Sequence, residues 1–282
     1  MQTARCFAVL LAVCAALTAC APQVRSLSPT PQPAPLTYLP ALSGEYFPIT
    51  SRETARTYHI YVRKPEGYDP AKRYPVVYVL DGDSLFPLLA ASHLLIALDD
   101  KVPEAIVVGI AYGSFDPAVN KRDIDFLPAG PGGPNAAAGA PIFARFLRNE
   151  LLPRIERRFS ADPARRVLFG QSFGGSFVLY SALTDPDLFW GRIASNPSFS
   201  RARDRFFGTA RRGVRRDLSL VVVSGTANNS NGRAAALEWF AAWEKRADAP
   251  WVVKPVTIEG GTHAANAGEA YRAGLRLLFG GR

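Results

Sequence analysis

The stretch that decides the fold is Gly170-Gln171-Ser172-Phe173-Gly174-Gly175, which follows an apolar run at 166–169 and precedes a helix-like segment at 176–183. This is the strand–turn–helix context of the G-x-S-x-G nucleophile elbow, in which a serine occupies a strained turn above the end of a sheet. Small flanking residues let strand and helix approach closely, and free amides at the start of the helix can stabilise an oxyanion. The motif predicts Ser172 as a nucleophile; the alternative is a glycine-rich turn with an incidental serine.

Short apolar runs and helical patterns alternate on both sides of this motif. This alternation predicts an α/β fold with a mainly parallel central sheet and helices on both faces, and the early strands could form an antiparallel extension. Pro153 is expected to kink or divide the helix that contains it. The predicted strands cover 57–62, 75–80, 105–110, 166–169, 192–195, 218–223 and 251–258, and the predicted helices cover 86–98, 141–159, 176–183, 234–247 and 268–279.

The N-terminus has the pattern of an export signal. Arg5 precedes an apolar segment at 6–17 that is too short for a stable membrane span. Leu17-Thr18-Ala19-Cys20 then resembles a bacterial lipobox, which predicts a signal peptide over 1–19 and lipidation of Cys20. The alternative is an ordinary signal peptide cleaved after Ala19.

A proline-rich linker follows the predicted lipidation site. It covers 20–43 and favours extended conformations that space a domain from its anchor. The catalytic domain is then expected over 44–282. Ala21 beside the cysteine is typical of outer-membrane sorting, so the expected location is the cell envelope, facing the periplasm if the host is Gram-negative.

Cysteine placement and charge restrict the remaining possibilities. All three cysteines, Cys6, Cys14 and Cys20, lie in or at the end of the leader, so the domain has no disulfide and no cysteine-based metal site. The net charge of +9 falls only to +8 without the leader, and basic clusters lie at 201–205 and 211–216. An exported protein is not expected to bind nucleic acid. The charge favours an anionic substrate or membrane surface, or is simply a solvated basic face.

The general base can be chosen from three histidines. His59 lies in a strand pattern and His93 in mid-helix, where surface or packing roles are expected. His263 lies in a loop between the last strand and the last helix, and no other histidine follows Ser172. Because the nucleophile precedes the histidine in this chain order, His263 is the predicted base.

The third member of a catalytic triad is less clear. The loop at 224–232, where an acid is expected, contains no carboxylate. Asn228 or Asn229 could orient the imidazole by a hydrogen bond but could not stabilise imidazolium as a charge does. Glu238 and Glu259 remain alternatives. The leading interpretation is a Ser–His dyad with a polar orienting group.

The loop at 80–86 follows an early strand and is expected to complete an oxyanion hole. We predict that the backbone amides of Phe173 and Asp83 form it. Asp81 and Asp83 in this loop also raise the possibility of a metal ion, but no third ligand stands at a recognisable spacing. The expected site therefore has no metal and no cofactor.

Several further segments carry a family resemblance over about residues 45–280. The chain resembles the putative-esterase family of α/β-hydrolases, and within it the siderophore esterases of the enterobactin and bacillibactin type. Feruloyl and acetyl esterases, S-formylglutathione hydrolases and mycolyltransferases share much of the pattern. The matching segments are 78–82, 107–112, 122–128, 146–153, 170–175, 194–199 and 274–279, together with His263.

The resemblance implies an acyl-serine mechanism without metal or organic cofactor. It also implies that Arg122 faces a bound anionic catecholate, a role that suits a guanidinium; the alternative is an ion pair with Asp123 or Asp125. Gly82 and Phe199 lie in matching motifs and are expected to contact substrate. The family often carries tryptophans after Ser-Pro-Ser, where this chain has Phe199-Ser200, so an aromatic wall for catechol rings is reduced.

These observations predict a lipid-anchored serine esterase that acts on a small, anionic ester such as a ferric or apo tri-catecholate lactone. One alternative is a feruloyl or acetyl carbohydrate esterase, or an acyltransferase, with the same site. Another is a non-catalytic lipoprotein that captures a siderophore.

Overall fold

The computed structural model describes residues 39–129 and 139–280. The predicted signal peptide at 1–19, the lipidation site Cys20 and all but the last five residues of the predicted linker at 20–43 lie outside the described residues. The described part of the chain begins with a short 3-10 turn, Pro40–Leu42.

One eight-stranded sheet runs through the described residues in the order β1-β2-β4-β3-β5-β6-β7-β8. Strand β2 pairs antiparallel with both β1 and β4. The remaining neighbours in this order, from β4 through β3, β5, β6 and β7 to β8, all pair parallel. The predicted mainly parallel sheet with an antiparallel extension is therefore confirmed. The strands are β1 Gly44–Thr50, β2 Thr57–Arg63, β3 Tyr74–Val79, β4 Ile106–Ala111, β5 Ala161–Gln171, β6 Gly191–Ser195, β7 Ser219–Gly225 and β8 Val252–Ile258.

Helices connect the parallel strands. The predicted helix around Pro153 is divided, because a π turn at Leu147–Leu151 separates α3 from α4 and leaves Pro153 in the first turn of α4, where its missing N–H is tolerated. The helices are α1 Gly82–Asp99, α2 Arg122–Asp125, α3 Gly139–Phe146, α4 Leu152–Arg158, α5 Phe173–Thr184, α6 Arg203–Phe207, α7 Ser230–Glu244 and α8 Ala267–Phe279.

Three of these elements were not predicted. Strand β1 carries Pro48, which breaks a strand pattern but is tolerated because β1 is an edge strand. Helices α2 and α6 are four and five residues long, too short to show a helical period.

The core lies on both faces of the sheet. Neighbouring residues of β3 divide between the faces: Val76 and Tyr78 pack with α3, α5 and α7, whereas Val77 and Val79 pack with α1 and α8. Burial on both faces explains why the central strands read as continuous apolar runs. Helix α1 has the length and composition of a membrane span, but Phe86, Leu89 and Ile96 on its inner face belong to this core.

Candidate active site

Ser172 occupies the turn between β5 and α5 with a φ of 59° and a ψ of −117°. A non-glycine residue rarely adopts a positive φ, so this backbone is strained in the way a nucleophile elbow requires. Gly170 makes the turn possible: a Cβ there would lie 2.3 Å from the backbone of Gly174. The close approach of strand and helix lifts the Ser172 hydroxyl above the carboxyl end of the sheet.

His263 lies on the loop between β8 and α8, and its Nε2 is 2.9 Å from Oγ of Ser172. The carbonyl of His263 accepts hydrogen bonds from the side chains of Gln171 and Asn196. Burial lowers the pKa of His263, and the nearby positive charge of Arg122 lowers it further. The imidazole is therefore neutral near pH 7, as a general base must be.

Asn228 is the residue that orients the imidazole. Its Oδ1 lies 3.0 Å from Nδ1 of His263 and also accepts the backbone N–H of Asn229 at 2.8 Å. Its Nδ2 donates to Oδ1 of Asn196 at 3.3 Å. Because a backbone N–H can only donate, the atom facing His263 is the oxygen. Nδ1 of His263 then carries the proton, and Nε2 is free to accept the Ser172 hydroxyl proton.

The other residues predicted as candidates to orient the imidazole of His263 have different partners. Asn229 caps α7, because its Oδ1 accepts the backbone N–H of Gly232 at 2.7 Å. Glu238 projects from α7 into solvent and pairs with Arg203, so the prediction of Glu238 as an orienting group is wrong. Glu259 accepts from the Thr226 hydroxyl at 3.2 Å. The arrangement around His263 thus contains an amide where a triad has a carboxylate.

The two predicted oxyanion donors both stand in the first turn of a helix. Phe173 begins α5 and Asp83 is the second residue of α1, and among the described residues neither backbone N–H donates to an acceptor. Such free amides carry the partial positive charge of a helix N-terminus. The carboxylate of Asp83 is engaged by the amides of Tyr112 and Gly113 at 2.8 and 2.7 Å. It therefore anchors the loop after β4.

Arg122 pairs with Asp81, not with Asp123 or Asp125. Its Nε and Nη2 donate to the two oxygens of Asp81 at 2.6 and 3.0 Å. This bidentate geometry holds the guanidinium in one plane, 5.2 Å from the centre of the Phe173 ring. The carboxylate of Asp125 is instead buried with Tyr58, Tyr112 and Arg56.

A cavity of about 310 Å³ opens over Ser172 and His263. Its rim includes Phe115, a side chain that is 73% exposed and that the sequence analysis did not single out. The other lining residues are Asp81, Asp83, Ser84, Leu85, Asn120, Arg122, Gln171 and Ala264.

Two predicted substrate contacts are not part of this cavity. Phe199 is buried against Phe206 and Phe207, with ring centres 5.6 and 5.9 Å away. Gly82 is buried against β4, where a Cβ would lie 2.8 Å from the backbone nitrogen of Ile110. Phe199 therefore serves packing, and Gly82 allows the close approach of α1 to the sheet; neither lines the cavity, and their contact with substrate stays a prediction.

Metal-binding side chains are not clustered in this site. In residues 39–129 and 139–280, no group of three or more His, Cys, Asp or Glu side chains is arranged to hold a metal ion. Asp81 and Asp83 are committed to Arg122 and to backbone amides respectively.

Fold and site together define an α/β-hydrolase with a hydrogen-bonded serine–histidine pair. Residues 51–274 match the model of a family described as "Putative esterase". The chain therefore belongs to this family, and the family assignment made from the sequence is confirmed.

Two curated proteins with sequence similarity to this chain are named as siderophore esterases. The chain is 37% identical over 166 residues to ferri-bacillibactin esterase BesA of Bacillus subtilis, covering 53% of this chain and 56% of BesA. It is 30% identical over 174 residues to the apo-salmochelin esterase of Escherichia coli, covering 56% of this chain and 53% of that protein. The matched segments thus span about half the length of these relatives.

Solved structures extend the likeness to most of the domain. The BES protein from Bacillus cereus superposes with a TM-score of 0.73 and 25% identity, covering 83% of this chain and 94% of that one. An IroE-like serine hydrolase from Shewanella oneidensis superposes with a TM-score of 0.71 and 24% identity, covering 84% and 80%. The second comparison shows the shared fold.

Proposed function

We propose that this protein is a serine carboxylic-ester hydrolase that forms an acyl-serine intermediate. The observation that carries the proposal is the hydrogen-bonded series from Asn228 through His263 to Ser172, which ends at a cavity. A nucleophile within hydrogen-bond reach of a base that a third group orients is the arrangement nucleophilic catalysis requires.

The reaction has two halves. As Oγ of Ser172 attacks the ester carbonyl, its proton passes to Nε2 of His263, and the amides of Phe173 and Asp83 receive the oxyanion. Collapse of this intermediate breaks the ester C–O bond, and His263 protonates the leaving alkoxide. Water then attacks the acyl-serine and gives its proton to His263, which returns it to Oγ as the carboxylic acid leaves.

The substrate class we propose is the tri-catecholate siderophore lactone. BesA and the apo-salmochelin esterase are named for siderophores, and the cavity presents features that suit such a ligand. Arg122 lines the cavity and uses Nε and Nη2 on Asp81, which leaves Nη1 for an anionic oxygen. Phe115 offers an exposed ring on which a catechol could stack.

The test of the ester-hydrolase proposal combines turnover with covalent labelling. We expect the full chain to hydrolyse a short p-nitrophenyl ester and a tri-catecholate lactone, with linear products resolved by chromatography. A fluorophosphonate should add its mass to the peptide containing Ser172. Ser172→Ala should lose both label and turnover, whereas Ser92→Ala, on α1 away from the pair, should keep both. Turnover that persists in Ser172→Ala would refute the acyl-serine mechanism; turnover of the p-nitrophenyl ester alone would refute the siderophore substrate.

We also propose that the protein is exported and anchored in the envelope through lipidated Cys20. The support is the segment Leu17–Cys20 and the proline-rich residues that follow. Expressed in a bacterium with a radiolabelled fatty acid, the wild-type chain should carry label and sediment with membranes, and Cys20→Ala should do neither. A wild-type chain without label would refute the anchor.

A further inference from the structure

Asn196 is a buried polar residue that sequence reasoning passed over. It follows β6, is 1% exposed and has a φ of 40°. Asparagine tolerates this left-handed conformation better than most residues do. Its side chain lies below the catalytic loops and contacts neither the cavity nor the Ser172 hydroxyl.

The orientation of the Asn196 amide is set by backbone atoms on both sides. Its Oδ1 accepts the backbone N–H of Gly225 at 3.0 Å. Its Nδ2 lies 3.0 Å from the carbonyl oxygens of both Thr262 and His263. A backbone N–H only donates and a carbonyl only accepts, so the amide cannot be flipped without losing these bonds.

The Asn196 amide is one of two contacts that orient the Asn228 amide. Oδ1 of Asn196 accepts from Nδ2 of Asn228 at 3.3 Å, and the backbone N–H of Asn229 donates to Oδ1 of Asn228 at 2.8 Å. Oδ1 of Asn228 is thereby directed at Nδ1 of His263, 3.0 Å away, and requires a proton there. The same Asn196 side chain holds the carbonyl of His263, so it acts on the imidazole from two sides.

We propose that Asn196 is a positioning residue that, together with the backbone N–H of Asn229, holds Asn228 in the orientation that places the proton of His263 on Nδ1 and keeps Nε2 unprotonated toward Ser172. This deepens the proposed function and rests on it. An amide in place of a triad carboxylate creates the need for such a residue. A carboxylate accepts with either oxygen, whereas a flipped Asn228 would present its NH₂ to Nδ1 and favour the inactive tautomer.

The first test is the removal of the Asn196 side chain as Asn196→Gly, which keeps the positive φ free of strain. We expect kcat for a p-nitrophenyl ester to fall by about tenfold to a hundredfold, with KM changed less than twofold, because the loss acts on the base rather than on binding. The control is Ser181→Ala, which removes a buried hydroxyl that accepts from the guanidinium of Arg192 and should keep wild-type kcat.

A rescue distinguishes positioning from mere support of the loop. Asn228→Asp supplies a group that can only accept, so the tautomer no longer depends on Asn196. We therefore expect Asn196→Gly to cost less than threefold in kcat when it is placed in the Asn228→Asp background. An equal loss in both backgrounds would overturn the proposal and reduce Asn196 to a structural residue.

A spectroscopic measurement keeps the proposal testable whatever the activity. The chain has three histidines, so imidazole nitrogen NMR can be assigned by single substitutions. We expect wild-type His263 to carry its proton on Nδ1. In Asn196→Gly only the Asn229 N–H still orients Asn228, so the share of the Nε2-protonated tautomer should rise above that of the wild type. An Nε2-protonated wild type would overturn the proposal even if esters are hydrolysed. A wild type with the expected tautomer but no turnover would instead count against the proposed function.

Discussion

A carboxylate at position 228 should change both the strength of the base and its pH range. In Asn228→Asp the new charge would lie about 3.0 Å from Nδ1 of His263 at a buried position. An opposite charge at such a distance shifts a pKa by roughly 1–3 units. In the wild type, burial and Arg122 lower the pKa of His263, and the carboxylate acts against both.

The size of the change in kcat/KM differs between high and low pH. A raised pKa makes His263 a stronger base, and the same interaction stabilises the imidazolium in the transition state. One unit corresponds to about 1.4 kcal/mol, or about tenfold in rate. On the alkaline plateau kcat/KM should therefore rise by about tenfold. Below both pKa values the gain should disappear, because the stronger base is then largely protonated.

The assay is the pH profile of kcat/KM for a neutral p-nitrophenyl ester, from about pH 4.5 to 9.5. The wild-type acid limb should lie below the ordinary histidine value of about 6.5, and that of Asn228→Asp should lie at least one unit above the wild-type limb. Ser230→Asp places the same charge on an exposed residue at the start of α7 and should shift the limb by only a few tenths, since surface charges are screened. An acid limb that stays in place, or moves down, in Asn228→Asp would refute the assignment of Asn228 as the partner of His263.

Three further predictions concern residues around this site. Glu238→Ala should leave kcat/KM within twofold of wild type, because Glu238 forms an exposed pair with Arg203; a thousandfold loss would restore it as the triad acid. Arg122→Gln should raise KM for an anionic aryl ester by about tenfold, which is the size of a lost charge-assisted hydrogen bond. KM for a neutral acetyl ester should stay within threefold of wild type, and equal effects on both esters would contradict an anion-binding role. Arg192→Met should lower the free energy of unfolding by about 2–4 kcal/mol, because the buried guanidinium of Arg192 donates to the carbonyls of Asp185, Pro186 and Phe189; an unchanged denaturant midpoint would contradict this.

Much of the fold could be predicted because its strands are buried on both faces. The continuous apolar runs of β3, β4 and β7 need little context to be recognised. The serine elbow was likewise readable, since its glycines follow from local backbone geometry. Chain order alone separated His263 from His59 and His93, and the structure brings His263 to Ser172.

The candidates that the structure places outside the site share a physical reason. Whether Glu238 or Asn228 reaches the imidazole depends on which face of α7 and which part of the preceding loop turn toward β8. Local spacing does not determine that choice. Phe199 likewise had the chemistry of a substrate contact, but α6, too short to be predicted, covers it with Phe206 and Phe207.

The sequence by itself determined most of the elements and the candidate nucleophile and base, because apolar periodicity, glycine at close approaches and chain order are local or one-dimensional properties. Tertiary structure decided which polar side chains meet. The sheet order places β5, β6, β7 and β8 side by side, so the loops bearing Ser172, Asn196, Asn228 and His263 converge at the carboxyl ends of their strands. Their hydrogen bonds join residues 29 to 91 positions apart in the chain, and only the packed sheet brings such distant groups within 3 Å or so of one another.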